Sequence, residues 1–160
     1  MTENDSYIDA LKSSLKKKVA LLSAIDLENR KQLEVLQDPM GTTEAFEETV
    51  ANKENLIKQI EELDEGFEQV YARVQSVLKA DGDKYRDDIV VMQEYIRKIT
   101  DKSTLIQTQE IKNRDLVVAK ASTIRGGAKS RRMGQMASGQ YYQNMMGMNV
   151  IDSQYLDKKK

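Results

Sequence analysis

The stretch that decides the fold runs from position 56 to position 99: LIKQIEELDEGFEQVYARVQSVLKADGDKYRDDIVVMQEYIRKI. It contains two heptad runs on either side of one break. Before the break, Leu56, Ile60, Leu63, Phe67, Val70, Val74 and Val77 follow at steps of 4, 3, 4, 3, 4 and 3. That is the period of a helix packed along another helix. After the break, Tyr85, Ile89, Met92, Ile96 and Ile99 repeat the 4, 3 alternation. The break itself is Asp81-Gly82-Asp83, in which Gly ends one helix and Asp restarts the next. So short a connection between two seams predicts an antiparallel helical hairpin. Gly66 interrupts the first run at a cost of about 1 kcal/mol relative to Ala.

Beyond Ile99 the heptad places are Ser103, Ile106, Glu110, Asn113 and Val117. The seam turns polar there, although nothing breaks the helix before Gly126-Gly127. The segment from 83 to 124 is therefore expected to be one helix of about 60 Å. Upstream, a helix is expected from Thr43 as its cap, with Glu44, Glu47 and Glu48 in its first turns, where the helix dipole favours negative charge. Phe46 and Val50 open its stripe.

An earlier helix is predicted to begin at Asp5 or Ser6, either of which can cap it. Ile8, Leu11, Leu15, Val19 and Leu22 form its apolar face. Leu33 and Leu36 resume the face after a weaker stretch with Asp26 and Asn29. Asp38-Pro39 ends it, because the residue before Pro is pushed out of the α region. The fold class read from these patterns is all-α: a long antiparallel hairpin plus an N-terminal helix in a coiled-coil-like three-helix bundle, with a flexible C-terminal tail. Its expected boundaries are 1–124 for the bundle and 125–160 for the tail.

Composition narrows what such a bundle can do. Among 160 residues there is no His, no Cys and no Trp. Disulfides, thiolate metal sites and every His-based acid, base or nucleophile pair are excluded. Carboxylates at Glu61, Glu62, Asp64 and Glu65, and at Asp87-Asp88, read as solvated helix faces, and no catalytic or cofactor site is expected. Asp81-Gly82-Asp83 lacks the ligand spacing of a calcium loop. Gly126-Gly127-Ala128-Lys129-Ser130 lacks the spacing of a phosphate loop and reads as a linker. The polar, acidic N-terminus has no signal-peptide pattern, and no apolar run nears the roughly 20 residues that span a bilayer. A cytoplasmic protein with no membrane insertion is expected.

Charge separates the tail from the body. Residues 125–160 carry seven basic and two acidic side chains, net +5, against net −6 in residues 1–124. Arg125, Lys129, Arg131 and Arg132 could meet phosphates, but nucleic acid is disfavoured as a partner of an acidic chain. The tail also holds five of the eight Gly and five of the eight Met. Tyr141, Met145 and Met148 fall at i, i+4 and i+7, and Tyr142, Met146 and Val150 lie near a second face. Met adapts to varied apolar partners, while Gly139 and Gly147 weaken a free helix. Such a segment is expected to order on a partner. Its candidate contacts are Met133, Met136, Tyr141, Tyr142, Met145, Met146, Met148, Val150, Ile151, Tyr155 and Leu156.

Three stretches together resemble one family. The first helix carries Leu11-Lys12 through to Leu22. The second carries Asn52-Lys53-Glu54-Asn55-Leu56-Ile57 and Ile60-Glu61-Glu62-Leu63-Asp64. The tail carries Ala137-Ser138-Gly139-Gln140-Tyr141-Tyr142 and Ser153-Gln154-Tyr155-Leu156-Asp157-Lys158. In these the chain resembles the bacterial flagellar export chaperones of the FlgN type, over nearly its full length. The resemblance implies a small cytosolic helical protein without catalysis. Such a protein binds hook–filament junction proteins and delivers them to the flagellar type III export gate, with its C-terminal segment contacting the client. The FliT-type filament-cap chaperones share this build, and a structural coiled-coil adaptor unrelated to export shares the heptads.

Overall fold

The computed structural model describes residues 2–123. They form three long helices: α1 (Glu3–Gln37), α2 (Thr43–Ala80) and α3 (Arg86–Thr123). Contacts between side chains set the directions. From α1 to α2, Tyr7 meets Arg73, Lys18 meets Asp64 and Gln32 meets Thr49, so these helices are antiparallel. From α1 to α3, Lys12 meets Asp88 and Gln32 meets Asn113, so these run parallel. The result is an up-down-up bundle in which α1 packs along both partners. It confirms the all-α class, and α2 and α3 are antiparallel as the short turn requires.

The helix starts differ from the sequence expectation by a turn or less. Thr2, not Asp5 or Ser6, caps α1. Its hydroxyl accepts from the Asp5 N–H, and the Asp5 carboxylate accepts from the Thr2 N–H. This reciprocal box satisfies two otherwise free donors, so Asp5 contributes from inside the helix. Its carboxyl is held below the ordinary value, first by the Thr2 backbone and then by the Tyr85 hydroxyl. Thr42, rather than Thr43, caps α2 by accepting from the Ala45 N–H. In the α1–α2 loop, the Asp38 carboxylate accepts from the Met40 N–H. The chain then passes so close to α1 that a Cβ at Gly41 would lie 2.3 Å from the Val35 carbonyl oxygen.

In α3 every predicted seam position is buried except Ile89, which is half-buried, and the polar members Ser103, Glu110 and Asn113 are buried too. In α2 the predicted seam is half right. Ile60, Phe67 and Val74 are core, but the second column is Ile57, Tyr71 and Leu78. Leu56, Leu63, Val70 and Val77 are only half-buried. The reason is that α2 carries three adjacent columns rich in apolar residues, and packing buries only two of them fully. In α1, Val19 and Leu33 are half-buried, whereas Lys18, Ile25, Asn29 and Gln32 occupy the seam.

Gly66 is exposed, and a Cβ placed on it meets nothing within 4 Å. Gly66→Ala should therefore stabilise the protein by about 1 kcal/mol, read as a higher urea midpoint with an unchanged slope. A lower midpoint would mean that the helix needs a glycine there.

Candidate functional site

Two features of the bundle stand out: a groove on its outside and a polar layer inside it. The groove lies between α1 and α2. It is open to solvent, has a volume of about 530 Å³ and is lined by Lys17, Ala20, Leu21, Gln59, Glu62 and Leu63. Its apolar floor follows from the third column of α2. Leu56, Leu63, Val70 and Val77 recur every seven residues and form one line along the helix. Leu21 lies on the matching line of α1, with Tyr7 and Val35 two heptads to either side.

Polar contacts bridge the two helices at each end of this line. At one end, both carboxylate oxygens of Glu28 accept from Asn52 Nδ2 at 3.3 Å. At the other, Arg73 donates to the Tyr7 hydroxyl at 3.2 Å and stacks over its ring at 5.6 Å. The span from 52 to 73 along α2 is about 30 Å at 1.5 Å per residue. Lys17 contributes positive charge to the α1 lip and Glu62 negative charge to the α2 lip.

The polar layer crosses the bundle near the α1–α2 loop. Lys53 of α2 is completely buried. Its ammonium donates to Glu110 Oε1 of α3 at 2.6 Å, to Asn29 Oδ1 of α1 at 2.9 Å and to Gln32 Oε1 at 3.3 Å. Asn113 Nδ2 donates to the Asn29 carbonyl and to Gln32 Oε1. Gln32 Nε2 donates to the Thr49 hydroxyl, which donates to the Phe46 carbonyl. At the border, Asn29 Nδ2 donates to Gln109 Oε1, and Gln109 Nε2 donates to Asp26 Oδ1.

Burial pushes the Lys53 ammonium below its ordinary value, and the Glu110 and Glu28 carboxylates oppose part of that shift. Glu110 Oε2 is buried with no hydrogen-bond partner among the described residues, which costs about 1–3 kcal/mol or more for a charged group. Beyond the layer, towards the loop, the buried apolar side chains among the described residues are Leu36, Phe46, Val50 and Val117.

A second ion pair sits at the border of the apolar half. Lys18, 2% exposed, lies 2.9 Å from Asp64 Oδ1 and 3.1 Å from Oδ2. This corrects the reading of Asp64 as part of a solvated face. Asp88 likewise pairs with Lys12 and holds that ammonium above its ordinary value. Among the described residues no group of acidic side chains is placed to hold a metal ion, and no helix is long and apolar enough to cross a membrane.

The tail contacts predicted between positions 133 and 156 lie outside the described residues. Sequence reasoning missed Lys53, Lys18, Asn29, Gln32 and Thr49 as buried groups. The signal for Lys53 was present: it stands seven before Ile60 and fourteen before Phe67, in one core column. Compared with protein-family models, curated proteins and solved structures, the chain matches none.

Proposed function

We propose that the chain is a non-catalytic carrier of helical clients, working as a flagellar export chaperone of the FlgN type. In this reading it binds the terminal helices of hook–filament junction proteins in the cytoplasm, keeps them unassembled and hands them to the export gate. One observation carries the helix-binding part: a helix-long apolar line on α2 is left half-covered beside α1. The flagellar assignment rests on the sequence resemblance. The tail, residues 125–160, supplies the main client contact through its Met and Tyr side chains, and the α1–α2 groove is the second candidate seat.

A pull-down with a junction-protein client separates these seats. A chain ending at Ile124 should keep the helical content and melting behaviour of the full chain but lose the client. If it retains the client and Leu63→Glu abolishes binding, the seat is the groove and the tail assignment fails. If the full chain retains no client, the chaperone reading fails.

A further inference from the structure

The two halves of α3 are held in different ways. Residues 85–99 bury Tyr85, Met92, Ile96 and Ile99. Residues 103–120 bury only Ile106 and Val117 as apolar side chains, alongside Ser103, Glu110 and Asn113. Leu116 adds a half-buried contact with the core, and the other holds on this half are polar: Glu110 to Lys53, Asn113 to Asn29 and Gln32, and Gln109 to Asp26 and Asn29. Such contacts exchange for contacts with water when they part, so their net hold is weak compared with buried apolar area. Opening would also rehydrate both members of a buried ion pair, recovering their desolvation cost. Glu110 Oε2, buried and unpartnered among the described residues, adds to that recovery. The first half of α3 is tethered to α2 by the turn at 81–85, whereas the second half has no such tether to α1 or α2 among the described residues. Finally, Leu105, Ile111 and Val118 are exposed on its outer side, so this half has apolar groups on two faces.

We infer that residues 103–123 of α3 form an arm that detaches as a unit from the α1–α2 hairpin while residues 86–99 stay packed. Detachment vacates a seat with Lys53, Asn29 and Gln32 at its centre. The seat was shaped by an amphipathic helix with a carboxylate in its apolar face, so it selects a partner helix of that chemistry. The inference goes beyond the chaperone reading, since the arm opens with no client present.

Hydrogen exchange on the full chain without client tests it. An isolated helix of about 20 residues is marginal in water, so a detached arm exchanges its amides. Residues 103–117 should share one protection level, at least about tenfold below that of residues 86–99. The hairpin amides of α1 and α2 should keep the higher level. Ile96→Val, in the half that stays packed, should lower protection of 86–99 several-fold and leave 103–117 unchanged, whereas Glu110→Gln should lower protection across 103–117 by about tenfold or more. The paired change Lys53→Met with Glu110→Met should do the reverse, raising the arm towards the level of 86–99. Protection that declines smoothly from 103 to 120, with 103–110 as protected as 86–99, would mean end fraying and overturn the proposal. Acceleration of 103–117 along with 86–99 in Ile96→Val would overturn it too, whether or not the paired variant folds.

Discussion

Glu110→Ala should destabilise the native bundle by about 3–5 kcal/mol, the usual result of removing one member of a buried ion pair. The carboxylate is the closest contact of a completely buried ammonium, at 2.6 Å. Without it, Lys53 retains Asn29 and Gln32 as acceptors but loses the carboxylate that does most to offset its desolvation. The effect should be read as a lower urea midpoint followed by ellipticity. Replacing both members by Met should be neutral or stabilising by about 1–4 kcal/mol, because a well-packed apolar pair avoids the desolvation cost. A loss below about 1 kcal/mol in the single variant would show that water already reaches Glu110.

Phe67→Ala is the second large effect, about 3–5 kcal/mol. Phe67 is 4% exposed, and its ring lies parallel to that of Tyr71 one turn on, with centroids 6.0 Å apart. Truncation removes the ring from the apolar half of the core, and its helical neighbours can close the space only in part. Glu68→Ala, at an exposed position on the same helix, should stay within about 0.5 kcal/mol. Equal losses at the two sites would mean that α2 presents a different face to its partners.

The seam of α3 was legible at every position but Ile89 because its polar members fall on the same 4, 3 spacing as the apolar ones. Its meaning was not. Ser103, Glu110 and Asn113 look like a seam giving way to solvent, and only the three-dimensional pairing of Glu110 with Lys53 shows that they are core. In α2 the register slipped by one column for a related reason. The true second column contains Asp64 between Ile57 and Tyr71, while the neighbouring column is wholly apolar at Leu56, Leu63, Val70 and Val77. Hydrophobic periodicity favours the uninterrupted line, yet packing chose the line whose charge meets Lys18. That choice leaves the uninterrupted line half-covered, and this is what produces the groove beside α1. The groove was thus present in the sequence as an excess of apolar columns, which needed the positions of α1 and α3 to be recognised. The helix starts were missed by a smaller margin. Thr2 and Asp5 bond reciprocally, and either could have been the cap on residue type alone.

The most direct test of the carrier reading is a calorimetric titration of the full chain with a synthetic terminal helix of a junction protein, repeated at several temperatures. Saturable binding with a clearly negative heat-capacity change, the mark of apolar surface being buried, is the result predicted here. No binding at any temperature, or binding abolished by moderate salt with no heat-capacity change, would contradict it.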